Sequence, residues 1–187
     1  MTSIDDIVAS LPIDAIAQQV GARPADVQQA VQSAVPALVG GLHANAQDPA
    51  GADSLIDALG QHSGSLADAV AQDPAAVQGI DTAEGQKIAA HIFGDHQQQV
   101  VNQLGGLGGG AVSADLVKKL IPILAPIVMS YVAKQVASKG GASAGDGVLD
   151  DVLGQVLKGA GGTSSGGGLG SVLGSVLGGL LGGGRRK

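Results

Sequence analysis

The sequence predicts an all-α fold: a multihelical, bundle-like domain followed by a Gly/Leu-rich C-terminal tail that carries one or two short helices. Three observations predict it. Apolar residues recur at spacings of three and four along most of residues 1–139, the period of a helix with one buried face. No stretch sustains the two-residue alternation of a half-buried strand. Glycine makes up 32 of the 187 residues, and residues 140–187 hold 18 of those 32. The division therefore falls at 1–139 for the helical domain and 140–187 for the tail.

Each element follows from its pattern. Ile4 to Ser10 reads as a short turn. Ile13, Ile16, Ala17 and Val20 lie one helical turn apart, and Gly21 stops that segment. Pro24 suits a first helical position, and a long helix runs from there to about Ala46. Its apolar positions are Val27, Ala30, Val31, Ala34, Val35, Leu38, Val39 and Leu42, with a kink expected at Pro36. Asp48-Pro49 reads as a cap followed by Pro at the first position, opening a helix that carries Leu55, Ile56 and Leu59. Ser65 to Ala71 gives a short helix. Thr82 is expected to cap a helix through Lys87, Ile88, Ile92 and Phe93. Gly94-Asp95 is expected to end it and to cap a further helix from Gln97 to Leu104. Gly105 to Gly110, five glycines in six residues, reads as a breaker. Ser113 then opens the most apolar helix, Leu116 to Val136, with 14 uncharged residues from Leu120 to Ala133. A membrane span needs about 20 apolar residues, and Pro122 and Pro126 lie inside this one. A buried core helix with a bend is the expectation.

Composition excludes several chemistries. With no Cys there is no disulfide framework, thiol catalysis, iron–sulfur cluster or Cys zinc site. With one Phe, one Tyr and no Trp there is no platform for base stacking. Residues 1–115 carry 13 acids and 2 bases, a net −11, whereas residues 116–187 carry 3 acids and 8 bases, a net +5. Such a body repels nucleic acid, and the last third attracts anions. The N-terminus has no basic region followed by an apolar core, and Asp5, Asp6 and Asp14 interrupt it. A cytoplasmic protein is expected.

Three constellations compare poorly with plainer readings. Ile13 to Val35 has the layout of a helix-turn-helix, but its second helix offers only Arg23, Gln28, Gln29 and Gln32 in an acidic region, so an architectural helix pair is the better reading. His91, Asp95 and His96 have near-ligand spacing, but Gly94 interrupts the helix that would align them, and a metal site needs three or four convergent ligands. His43 and His62 stand alone. Gly106-Leu-Gly-Gly-Gly-Ala111 mimics a dinucleotide loop without the strand that must precede it. There is no nucleophile elbow, no Ser-x-x-Lys with its partners and no phosphate-binding loop, and the sole Glu, Glu84, lies at a helix start. The expectation is a chain that is not an enzyme, with no catalytic, cofactor-binding or metal residues and no cofactor.

Three segments carry a family resemblance. They are Ala34-Val-Pro-Ala-Leu-Val-Gly-Gly-Leu-His-Ala-Asn-Ala46, Gly85-Gln-Lys-Ile-Ala-Ala-His-Ile-Phe-Gly-Asp-His-Gln97 and Leu120-Ile-Pro-Ile-Leu-Ala-Pro-Ile-Val-Met129. In this order and spacing the chain resembles the bacterial domain-of-unknown-function family 937, related to the YidB-like proteins, over about residues 1–140. The resemblance implies an all-helical domain in a bacterial protein. It brings no catalytic or binding residues with it. In one place the chain departs from the pattern: Arg23 stands where relatives tend to have a polar cap before the helix that Pro24 opens.

The tail is the sharpest feature. Val148-Leu149, Val152-Leu153 and Val156-Leu157 repeat every four residues, as do Leu169, Val172-Leu173, Val176-Leu177 and Leu180-Leu181. Gly170, Gly174, Gly178 and Gly182 run in register with the second series. A helix turns 100° per residue, so a four-residue repeat drifts only about 40° per step. Helices are expected at about 147–158 and 169–182, each with one apolar stripe. Residues 159–184 are uncharged, and Arg185, Arg186 and Lys187 follow. The candidate interaction residues are therefore Val172, Leu173, Val176, Leu177, Leu180, Leu181, Arg185, Arg186 and Lys187. The expected function is a non-enzymatic interaction or scaffolding protein that associates with itself or with a protein partner through this helix, without nucleic acid. The alternative is a peripheral membrane-surface protein anchored by the same helix and its Arg-Arg-Lys end.

Overall fold

The computed structural model describes residues 4–61, 65–107, 112–140 and 151–157. Among these residues the fold is all-α, with no strand. Helix α1 spans Ile4–Ser10 and α2 Ile13–Val20. Helix α3 spans Pro24–Ala46, α4 Pro49–Gln61 and α5 Ser65–Gln72. After a 3-10 segment at Pro74–Gly79 come α6, Thr82–Phe93, and α7, Gln97–Leu107, separated by a 3-10 turn at Gly94–His96. Helix α8 spans Ala114–Gly140, and residues 151–157 form a short ninth helix.

Local chemistry sets most boundaries. Gly21 ends α2 in the left-handed region at φ 70°, and its N–H, like that of Ala22, returns to the Ala17 carbonyl. Arg23 precedes Pro24 in an extended conformation and gives no side-chain cap. Its guanidinium instead grips Asp26 in the first turn with two hydrogen bonds, at 2.8 and 2.9 Å. Asp48 caps α4 by accepting from the Gly51 N–H, and Ser113 caps α8 by accepting from Leu116.

Four expectations are corrected. Ile4–Ser10 is a helix rather than a turn, because Ile4 and Ile7 share a face that is buried. The cap of α6 is Asp81, not Thr82; the Asp81 carboxylate takes both the Ala83 and Glu84 N–H groups. Asp95 lies inside the 3-10 turn that Gly94, at φ 52°, initiates. The expected breaker at Gly105 does not begin there, since α7 continues through Leu107. A Cβ on Gly105 would stand 2.6 Å from the Ala114 backbone nitrogen, so glycine lets α7 run on past the start of α8.

Helices α3 and α8 form the centre. Helix α8 touches α2, α3, α4, α5, α6 and α7, and α3 touches α1, α2, α4, α6, α7 and α8. Every residue from Leu120 to Ser130 is buried, so α8 is apolar on all sides because protein surrounds it on all sides. By length and composition it is the one helix among the described residues apolar enough to cross a membrane, and 78% of its most apolar stretch is buried inside the protein. Leu38 and Leu42 of α3 meet Leu120, Leu124 and Ile127 of α8 in one core with Ile7, Ile16 and Phe93. Burying each such side chain contributes about 1.5–3 kcal/mol.

One polar group enters this core by design. Ser130 is fully buried, and its hydroxyl accepts the Ala67 N–H at 3.0 Å. A first-turn donor of α5, which its own helix cannot satisfy, is thus capped from α8. One turn on, Lys134 pairs with Asp68. At the other end Lys119 reaches the Val20 carbonyl, the last of α2, at 3.4 Å.

Candidate functional site

The predicted interaction residues Val172, Leu173, Val176, Leu177, Leu180, Leu181, Arg185, Arg186 and Lys187 lie outside the described residues. The first apolar series of the tail lies partly within them, and it is seated on the body. In the helix 151–157, Val152, Leu153 and Val156 are buried, at 2%, 0% and 3% exposure. Leu153 and Val156 join the main core, and Leu157 packs half-buried against it. Asp151 and Gln155 point to solvent. The four-residue period explains this division, because positions 152, 153, 156 and 157 form one stripe while 151 and 155 fall outside it. Gly154 lies over the ring of His43 on α3; a Cβ there would stand 3.9 Å from His43 Cε1, an ordinary contact.

This seat is shallow in energy. Three buried apolar side chains contribute about 1.5–3 kcal/mol each. Fixing seven backbone residues costs about 1–2 kcal/mol each. The two sums are of the same order, so the segment is held far more lightly than α3 or α8.

A second concave feature lies between α3, α4 and α6. It is a cleft of about 450 Å³ lined by Leu42, Asn45, Ser54, Leu55, Asp57, Ala58, Glu84, Lys87, Ile88, His91 and Met129, among others. Lys87 pairs with Glu84 at 3.3 Å. The Asn45 side-chain amide donates to the carbonyls of Ile92 at 2.9 Å and of His91 and Gly41 at 3.2 Å. With two hydrogens and three acceptors, this amide is fully committed to tying the end of α3 to the end of α6. The cleft therefore places the Lys87–Glu84 ion pair beside an amide committed to backbone carbonyls.

The His91, Asp95 and His96 set does not converge. His91 borders this cleft, whereas Asp95 borders a separate pocket of about 310 Å³ with Gln86, Gln98 and Lys118. Among the described residues no three His, Asp or Glu side chains stand close enough to share a metal ion. On α3, Gln28, Gln29 and Gln32 are exposed and Arg23 is engaged with Asp26.

The three segments that carry the family resemblance meet one another in space. Gly41 of the first faces Ile92 and Phe93 of the second; a Cβ on Gly41 would stand 2.5 Å from Ile92 Cγ2. Asn45 of the first holds the second by its hydrogen bonds. Gly85 of the second lies against Pro122 of the third, so close that a Cβ would overlap the Pro122 carbonyl oxygen. That carbonyl has lost its helical donor, because residue 126 is proline and has no N–H. Glycine at 85 brings another backbone up to the unsatisfied oxygen. The Pro and Gly placements thus build the packing of α3, α6 and α8. Sequence reading missed Asn45 and Ser130, although an isolated Ser within an apolar run is a visible signal for a buried cap.

The chain matches the family model described as "Bacterial protein of unknown function (DUF937)" over residues 4–135. No curated protein and no solved structure matches it.

Proposed function

The chain belongs to the bacterial DUF937 family, and from that premise we propose that it is a non-enzymatic interaction or scaffolding protein whose C-terminal apolar Gly/Leu helix associates with itself or with a partner protein. The observation that supports this reading is the seating of 151–157. A short Val/Leu/Gly segment of the same tail buries Val152, Leu153 and Val156, and the last two join the main core. The helix-in-groove mode needs anchors at one-turn spacing, and the stripe Val172, Leu173, Val176, Leu177, Leu180 and Leu181 supplies them. The charge difference between residues 1–115, at −11, and residues 116–187, at +5, favours docking of one region on the other. A membrane-surface anchor would use the same stripe with Arg185, Arg186 and Lys187 at lipid headgroups.

Size-exclusion light scattering of the full chain at two concentrations tests the reading. The comparison protein is the full chain carrying Val172→Ser, Leu173→Ser, Val176→Ser, Leu177→Ser, Leu180→Ser and Leu181→Ser. The native chain is expected to form larger, concentration-dependent species and the variant to remain monomeric. Two monomers overturn self-association. Salt-sensitive binding to anionic vesicles in that case supports the membrane-surface reading.

A further inference from the structure

The seated segment has a second copy. Residues 152–157 read Val-Leu-Gly-Gln-Val-Leu, and residues 172–177 read Val-Leu-Gly-Ser-Val-Leu. The one difference, Gln155 against Ser175, falls where the first copy is exposed. The buried side chains of the first copy, Val152, Leu153 and Val156, all recur at the matching positions, as do half-buried Leu157 and Gly154 over His43. Whatever the surface beside His43 recognises in the first copy, the second copy also presents.

We propose that the surface of the body beside His43 is a docking site for the sequence Val-Leu-Gly-x-Val-Leu, and that residues 172–177 of the same chain are its second occupant, exchanging with 152–157. Chain length permits the exchange, since 31 residues separate Gly140 from Val172. Thirty-one residues can span up to about 100 Å, so the length is enough to return to the body. The charges favour the exchange as well. The first copy lies between Asp150-Asp151 and Lys158, flanks of net −1, whereas the second follows Gly170 and Ser171 and precedes three terminal cations. Against the body, residues 1–139 with a net charge of −7, the second copy meets less repulsion. The light hold on 151–157 leaves it displaceable.

The exchange deepens the association reading, and its consequence for assembly rests on that reading. One site and two copies mean that one copy is always left over. When 172–177 is seated, part of the association stripe is hidden against its own body. When 152–157 is seated, the stripe is available to another molecule.

The native chain has no Cys, so introduced pairs report without interference. The full chain carrying His43→Cys and Gly174→Cys is treated with a short bismaleimide crosslinker and read by intact mass and peptide mapping. His43→Cys with Gly154→Cys is the reference for the seated copy, and His43→Cys with Gly162→Cys measures chance collision. The 43–174 product is expected well above the 43–162 background, at the mass of a single chain. Copies that bind comparably share the site about equally, so adding Leu153→Ser and Val156→Ser raises the 43–174 yield about twofold. A 43–174 yield equal to background overturns the proposal, as does failure of the 43–154 reference. A 43–174 product at twice the chain mass also overturns it, because the occupant then comes from another molecule. Light scattering reads the association independently: a native chain that stays monomeric while the 43–174 product forms overturns the association reading alone.

Discussion

Where α3, α6 and α8 of this protein cross, glycine stands where a neighbouring helix leaves no room; in the seated tail segment it stands where there is room to spare. A Cβ on Gly85 would overlap the Pro122 backbone carbonyl, and one on Gly41 would stand 2.5 Å from the Ile92 Cγ2 methyl, closer than real Cβ atoms come. Gly154 faces only His43, at an ordinary contact distance. The first two glycines are demanded by tertiary fit and fix how α3, α6 and α8 cross. The third lowers helix stability by about 1 kcal/mol without a packing return. The contrast separates a body built to hold one arrangement from a tail built to let go.

The largest expected effect lies on the body side. Gly85→Ala places a Cβ on the Pro122 carbonyl, and neither backbone can give way freely. A loss of about 3 kcal/mol is expected, lowering Tm by about 10 °C. Thermal melts followed by circular dichroism check it, and an unchanged Tm breaks the claim that the α6–α8 crossing depends on that contact. Next in size is Ser130→Ala, which leaves the buried Ala67 N–H without its acceptor. A buried unsatisfied donor costs about 1–3 kcal/mol. Chemical denaturation reads the shift, with α5 expected to loosen first.

On the tail side the sign reverses. Gly154→Ala adds a methyl group into space that accepts it and removes the helical cost of glycine. Amide exchange in 151–157 is expected to slow about fivefold, the equivalent of about 1 kcal/mol. Faster exchange contradicts the idea that this glycine has no steric role.

The smallest effect is the Lys134–Asp68 pair on the surface between α5 and α8. Hydrogen bonding to Asp68, followed by its charge, raises the Lys134 pKa above the ordinary 10.5. A raised lysine pKa gives stability that is present below 10.5 and lost as the pH rises through the folded-state value. Both side chains are about half exposed, at 53% and 48%, so screening keeps the contribution small. Denaturant midpoints measured between about pH 9 and 12 should fall slightly more for the native chain than for Lys134→Met.

Much of the helical layout was legible because the signals are local. Spacings of three and four marked α2, α3 and α8, while Gly21 marked the end of α2, and Asp48 and Ser113 marked the starts of α4 and α8. The misses also have local causes. Asp81 and Thr82 are adjacent capping residues, and only the geometry of the Ala83 and Glu84 N–H groups selects Asp81. The Pro74–Gly79 turn is too short for periodicity, and its start, where Asp73 accepts from Ala75, went unread. Gly105 continues α7 because of its approach to Ala114, a contact made only in the folded chain. The candidate site was half legible. The four-residue period of the tail identified the stripe that 151–157 buries. It gave no indication of the surface receiving it, because His43 lies more than 100 residues earlier in the chain. The cleft between α3, α4 and α6 was invisible for the same reason, being assembled from separate helices.

Hydrogen exchange of the full native chain, followed by mass spectrometry, tests most directly whether the tail repeat is a lightly held ligand of the body. Peptides from α8 should exchange slowest, and those covering 151–157 should be protected above the free-peptide rate yet far below α8. Exchange of 151–157 at the free-peptide rate would contradict the seat, and protection equal to that of α8 would contradict its exchangeability.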